Sequence, residues 1–348
     1  MRSFAARLVA WQKRHGRHDL PWQRTRDAYA IWLSEIMLQQ TQVATVIPYY
    51  EAFLRRFPTV RALAKAPLDD VLALWSGLGY YSRARNLHQA ARLVVEAHAA
   101  SFPADPALLE TLPGIGRSTA AAISVFAYGG CHAILDGNVK RVLARHGGIA
   151  GYPGEARVQE QLWRKAQALL PLRDVVAYTQ GMMDLGAGIC VRSVPRCEQC
   201  PVRVDCVARA KNLTAVLPGR KPRRALPKRA TVMLLMRHAD KILLEQRPPH
   251  GIWGGLWSLP EVTHQRDARS TCRRLGGEVS HIAPLPAVDH GFTHFQLTIQ
   301  PLVIGVRKPR VATPAKLSAS RTRWVPLSDI ASTGLPAPVR KIILSICI

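Results

Sequence analysis

Four cysteines within seventeen residues, Cys190, Cys197, Cys200 and Cys206, follow the spacing C-x6-C-x2-C-x5-C. Thiolates spaced this way can wrap a compact tetrahedral or cuboidal centre. Zinc sites usually pair two C-x2-C knuckles, and only one occurs here, so a [4Fe-4S] cluster fits the unequal loops better than zinc. Upstream, Leu112–Ile123 reads L-P-G-I-G-R-S-T-A-A-A-I, with Gly114 and Gly116 leading into an alanine-rich stretch from Arg117. Glycine permits a tight turn, and the free N–H groups at the start of a helix favour an anion. Twenty residues beyond Gly116, Asp136 stands in I-L-D-G-N-V-K-R. Its carboxylate suits a helix N-cap or a catalyst, and the roles are compatible because a cap holds the group rigidly. Glu35 has Ile31 and Trp32 one helical turn before it and Leu38 and Gln39 one turn after. An acid on such a partly apolar face is desolvated, which raises its pKa and keeps it protonated as a general acid. An ordinary salt-bridged helix glutamate fits the same pattern.

The composition narrows the partner. Lys and Arg number 48 against 23 Asp and Glu, a formal net charge of +25. Such an excess points to a polyanion, bound with release of counterions from phosphates, although an arginine-rich proteome raises the charge too. No run of 18 apolar residues appears, so no membrane helix is expected. The N-terminal M-R-S-F-A-A-R-L-V-A-W lacks the core and cleavage site of a signal peptide. Cys131, Cys272 and Cys347 are scattered, which suits a reducing compartment and not a disulfide framework. The expectation is a cytoplasmic monomer that works on DNA, with no membrane partner.

Elements that could position these groups follow from caps and periodicity. At 348 residues the chain is long enough for two domains. Residues 1 to about 211 read as successive helices. Ser3–His15 ends at Gly16, Asp27 caps a helix to about Gln40, and Pro67 opens one that ends at Gly77. Ser82 caps Arg83–Ala99, and Glu155–Leu170 and Arg173–Gly186 follow. Residues 218–229, P-G-R-K-P-R-R-A-L-P-K-R, hold three prolines and six basic residues and form a linker. Beyond it Thr231–Arg237, Lys241–Gln246 and Gln296–Val306 read as strands, with helices at Gln265–Leu275 and Val339–Cys347. The first part is all-α and the second α+β. The apolar end Ile342–Ile348 has no assigned role.

The cysteine spacing, the L-P-G-I-G loop and L-D-G-N-V together resemble the helix-hairpin-helix glycosylases related to endonuclease III. Three further stretches are similar to the MutY family of adenine DNA glycosylases. They are W-L-S-E-I-M-L-Q-Q-T-Q-V at Trp32–Val43, W-S-G-L-G-Y-Y-S-R at Trp75–Arg83, and W-G-G-L-W-S-L-P at Trp253–Pro260. The resemblance spans nearly the whole chain. It implies an all-α helix-hairpin-helix glycosylase domain at 1–217, carrying an iron–sulfur loop at 190–206. A basic proline-rich linker at 218–229 would join it to a Nudix-like domain at 230–348 that recognises 8-oxoguanine.

By the same resemblance Glu35 protonates adenine N7 and then activates water, Asp136 stabilises the oxocarbenium-like sugar, and Asn138 helps position it. Trp22, Leu38, Gln40, Thr41, Tyr80, Gly114, Gly116 and Ser118 fall where the family contacts DNA or base. Gln23 stands where some relatives have arginine. Bifunctional relatives carry a Schiff-base lysine at the position of Ser118, so the resemblance implies a monofunctional enzyme. Lys140 is the nearest amine for adventitious strand cleavage. The helix at 267–276 lacks the glutamates of a working Nudix box, so pyrophosphohydrolysis is not expected. Phe292-Thr293-His294 matches the family's lesion-reading F-S-H loop, with threonine replacing serine. The implied partner is double-stranded DNA carrying adenine opposite 8-oxoguanine or guanine. The alternatives are an endonuclease III-like pyrimidine glycosylase/lyase, a Nudix hydrolase fused to a DNA-binding module, and a non-catalytic iron–sulfur DNA-binding protein.

Overall fold

The computed structural model describes residues 3–222, 225–307 and 321–346. Arg223 and Arg224 of the expected linker, and Cys347 at the end of the expected last helix, lie outside them. The chain divides into two compact units: residues 1–65 with 86–223, and residues 66–85 with 224–348. The sequence had placed 1–217 in one domain. The structure instead groups 66–85 with the C-terminal unit, through side-chain bonds across some 170 to 260 positions of sequence.

The first unit is helical. Ser3 caps Phe4–His15 by accepting from the Ala6 N–H, and Gly16 closes it with a 2.8 Å bond to the Gln12 carbonyl. Asp27 caps Ala28–Leu38 through the Tyr29 N–H, and this helix stops two residues before Gln40. Two helices, Pro106–Glu110 and Arg117–Tyr128, flank the Leu112–Gly116 loop. Gly137–Gly147 starts at the Asp136 cap, and Val175–Asp184 runs into a wider turn, Leu185–Ile189, that delivers Cys190. Leu8, Ala122, Leu143, Leu162 and Leu185 are fully or nearly fully buried in one core. Each such leucine contributes about 1.5–3 kcal/mol by leaving water. That core fixes Gly137–Gly147 against Leu185–Ile189, so the Asp136 turn and the first cysteine are held together.

The second unit is built on one mixed sheet. Its strands are β1 (Lys228–His238), β2 (Lys241–Gln246), β3 (Trp257–Ser258), β4 (Glu261–Val262), β5 (Glu278–Pro284), β6 (Val288–Gly291), β7 (Gln296–Arg307) and β8 (Thr322–Pro326). The main order is β3-β2-β1-β7-β5, with β4 on β1, β6 on β7 and β8 on β2. The parallel β1–β7 pair runs from Lys228 opposite Gln296 to Arg237 opposite Gly305. β1 therefore absorbs Lys228 and Arg229, which the sequence had assigned to the linker. The expected helix at Gln265–Leu275 is a 3-10 turn, Gln265–Asp267, followed by Ala268–Arg274. Its Ala268 and Cys272 pack on Leu234, Met236, Leu302 and Ile304 of β1 and β7. The last helix is Ala337–Leu344, with Val339, Ile342 and Ile343 buried and Leu344 exposed. No helix among the described residues is long and apolar enough to cross a membrane.

Candidate active site

Glu35 lies on Ala28–Leu38 and lines a cavity of about 560 Å³ in the first unit. Trp22, Ile31, Leu38, Gln180 and Met183 share that wall. The volume falls in the range of small-molecule sites, and its mixed apolar and polar lining suits a heterocycle. Burial pushes the Glu35 carboxyl up to about 8, and the nearby charge of Asp136 adds to the effect. Asp136 is also pushed up by burial. Against that act the Val139 and Asn138 N–H groups and the charges of Arg141 and Lys140, all of which favour its anion. Within this interacting pair Asp136 is the better-held anion and Glu35 the better-held acid.

Asp136 does what its cap geometry requires: it accepts from the Val139 N–H at 2.7 Å. The Asn138 side-chain oxygen accepts from Arg141 at 2.8 Å. The same guanidinium donates to the Gly186 carbonyl at 2.6 Å and to the Cys190 carbonyl at 2.7 Å. Arg141 thus straps the Asp136–Asn138 turn to the start of the cysteine loop. A Cβ on Gly186 would stand 2.6 Å from the Asn138 Cβ, so only glycine allows this approach.

In the hairpin loop Gly114 takes the left-handed conformation at φ +81°. Gly116 does not, at φ −104°; it is the N-cap of Arg117–Tyr128, with no side-chain capping bond and open space around its Cα. That leaves the first-turn N–H groups available to an anion. Gln39 reaches the Gly114 carbonyl at 3.4 Å and links the Glu35 helix to this loop. The Ser118 hydroxyl accepts from the Leu135 N–H at 2.9 Å, so it ties the hairpin helix to the residue before Asp136. Trp22 is buried edge-on to Tyr50 at 5.4 Å and forms part of the cavity wall. Gln23 accepts from the Leu20 N–H and donates to the Arg17 carbonyl, which makes it a local brace. Gln40 is exposed with φ +59°, while Thr41 is half-buried beside it.

The sequence did not single out Gln180, Asp184 or Arg17. Gln180 donates to Asp184 at 2.8 Å, and Arg17 clamps the same carboxylate at 2.7 Å from 167 positions away. The i, i+4 spacing of Gln180 and Asp184 was the available local signal; the Arg17 partner had none.

All four cysteines of the cluster motif line one small cavity, together with Arg145, Arg196, Arg203 and Arg209. Arg145 donates to the Cys190 sulfur at 3.4 Å and to the Val191 carbonyl at 2.7 Å. Four thiols and a cationic wall match an anionic, thiolate-ligated centre. Among the described residues no three His, Cys, Asp or Glu side chains already converge as a single-ion site.

The remaining candidates belong to the second unit. Tyr80 is exposed with φ +47°. Phe292 stacks on buried Phe295 with centroids 4.4 Å apart, and contacts His290 and Trp253 at 4.7 and 5.4 Å. Thr293 and His294 are exposed at the tip of this aromatic support.

Fold and site together define a DNA glycosylase of the helix-hairpin-helix type with an added Nudix-like unit. Residues 33–168 match the HhH-GPD superfamily of base excision DNA repair proteins, and residues 231–345 match the NUDIX domain. The chain is 35% identical to the adenine DNA glycosylase of Buchnera aphidicola subsp. Acyrthosiphon pisum (strain APS), over 98% of this chain and 96% of that protein. It is 34% identical to the Homo sapiens adenine DNA glycosylase, over 98% of this chain and 73% of that one. A thermostable thymine-DNA glycosylase superposes with a TM-score of 0.55 at 30% identity, covering 60% of this chain and 95% of its own. Endonuclease III from a non-covalent DNA complex shares the fold, with a TM-score of 0.51 at 20% identity over 60% and 94% of the two chains. The chain belongs to the adenine DNA glycosylase family, and it is a DNA N-glycosylase of base excision repair.

Proposed function

We propose that this chain removes adenine mispaired with 8-oxoguanine or guanine by hydrolysis, leaving an abasic site and an intact strand. The observation that carries the reading is Glu35 on the wall of a base-sized cavity, its carboxyl pushed up to about 8 by burial and by the charge of nearby Asp136. The target nucleotide leaves the stack to enter this cavity, since the glycosidic bond is otherwise buried in the duplex. Glu35 donates its proton to adenine N7, the C1′–N9 bond breaks toward the base, and neutral adenine departs after tautomerisation. The Asp136 carboxylate faces the positive charge developing on the sugar, and Asn138, held by Arg141, keeps that turn in place. Water then adds at C1′ while the Glu35 carboxylate takes its proton.

Ser118 offers no amine for a Schiff base, and its hydroxyl is engaged with Leu135, which supports the monofunctional outcome. Residues 1–217, 218–229 and 230–348 are read as catalytic domain, linker and recognition domain, amended at β1 and at 66–85. The hairpin N-terminus at Gly116, with Gly114, is the reading for a phosphate contact. Leu38, Gln40, Thr41 and Tyr80 are read as contacts near the mispair, Trp22 as adenine-pocket wall, and Phe292, Thr293 and His294 as the reader of the opposite base. Cys190, Cys197, Cys200 and Cys206 would hold a [4Fe-4S] cluster, which when bound staples a loop rich in arginine and supplies no step of the hydrolysis. Glu35→Gln tests the assignment: it is expected to bind the mispaired duplex as the parent does and to release no adenine. Near-parent turnover would remove Glu35 from this role.

A further inference from the structure

We propose that Arg340 and Ser76 are positioning residues for Tyr80, so that the last helix of the chain sets the loop presenting Tyr80 to DNA. The inference rests on the reading that Tyr80 contacts DNA beside the mispair. Tyr80 is 44% exposed at φ +47°, a backbone conformation that a bulky residue adopts only where its surroundings over-determine it. Local bonds shape the loop. Trp75 Nε1 donates to the Gly79 carbonyl at 3.1 Å, and Arg83 donates to the Leu78 and Gly79 carbonyls at 3.2 Å each. The Arg83 guanidinium also lies over the Trp75 and Tyr80 rings, at 5.4 and 5.5 Å.

These bonds act within the loop and at the start of the helix that follows it. A second set reaches it from the far end of the sequence. Ser76 Oγ donates to the Leu335 carbonyl at 2.9 Å and accepts from Arg340 Nη2 at 3.1 Å. Tyr81 Oη donates to the same carbonyl at 3.3 Å. Arg340 further donates to the Thr333 and Ile330 carbonyls at 2.8 Å, so one guanidinium joins the turn before the last helix to the start of the Tyr80 loop. A Cβ on Gly334 would stand 3.2 Å from the Ala73 backbone nitrogen, so main chain meets main chain here. Two more stitches flank the contact: Asp69 accepts from Gln246 at 3.0 Å, and Arg85 donates to the Gly254 carbonyl at 2.6 Å. Tyr80 and the Phe292–His294 loop are therefore carried by one compact unit. The unit that carries the proposed reader of the opposite base also carries Tyr80.

The test uses the full chain and a duplex with 2′-fluoro-2′-deoxyadenosine opposite 8-oxoguanine, whose electron-withdrawing fluorine resists cleavage. A 2-aminopurine beside the mispair reports stacking. Tyr80→Ala is expected to weaken binding about 5- to 150-fold, the range for losing one base–aromatic stack. Arg340→Met and Ser76→Ala should each lose part of that affinity and blunt the 2-aminopurine change. The double variant Arg340→Met/Tyr80→Ala should bind no more weakly than Tyr80→Ala alone, because Arg340 acts through Tyr80. Losses that multiply in the double variant, or parent-like binding and fluorescence in Arg340→Met and Ser76→Ala, overturn the proposal. If Arg340→Met does not fold, Ser76→Ala paired with Tyr80→Ala gives the same cycle. A Tyr80→Ala that binds like the parent removes the underlying contact, and the proposal with it.

Discussion

The raised pKa of Glu35 makes a quantitative demand on the pH profile. Its carboxyl is pushed up to about 8, first by burial and then by the charge of Asp136. In the proposed role the active form is the protonated one, so the rate of base release is expected to fall as pH rises through that value. With a pKa near 8, roughly nine in ten molecules carry the proton at pH 7 and roughly one in ten at pH 9, so a loss of about tenfold is expected between them. Single-turnover excision at saturating enzyme isolates this step from DNA binding, whose own pH dependence would otherwise intrude. A profile flat from pH 7 to pH 9 would refute the reasoning. So would an alkaline limb near the ordinary carboxylate value of about 4.3, because it would mean that the cavity leaves Glu35 solvated.

Two further outcomes follow from other parts of the site. Thr293→Val keeps the shape of an exposed side chain and removes its hydroxyl, so preference for adenine opposite 8-oxoguanine over guanine should drop about two- to tenfold, the value of one hydrogen bond. Competitive binding of the two duplexes reads this directly, and an unchanged ratio would take Thr293 out of lesion reading. Cys200→Ser should abolish the broad visible absorption of an iron–sulfur centre and lower the iron content of purified protein, as measured by metal analysis. Full retention of both would mean that Cys200 is not a ligand.

Local chemistry was legible in the residues, and long-range packing was not. Asp27 and Asp136 cap helices where their side chains alone predict it, because a cap is satisfied within three residues. Lys241–Gln246 is the strand its apolar pattern indicates. β5 follows no clean alternation, being half-buried at only two of its seven positions, and β6 is only 4 residues long and ends in glycine. The membership of residues 66–85 turns on Asp69, Ser76 and Arg85, whose partners stand far along the chain. Within the site, the apolar neighbours of Glu35 pointed to a desolvated acid and fitted a salt-bridged helix glutamate equally well, and its cavity follows from helices that tertiary packing alone brings together. Ser118 was informative as an absent lysine, while its bond to Leu135 required the fold. Arg141 is three residues from Asn138, an ordinary helical interval, yet its reach to Cys190 became visible only once the Leu185–Ile189 turn was in place.

The central claim is hydrolytic removal of adenine without strand cleavage. It is tested most directly by incubating the protein with two end-labelled duplexes, one carrying adenine opposite 8-oxoguanine and one carrying oxidised thymine opposite adenine, and resolving the strands with and without alkali. Breaks are expected only in the adenine strand of the first duplex, and only after alkali. Strand breaks without alkali, or base release from the oxidised thymine, would contradict it.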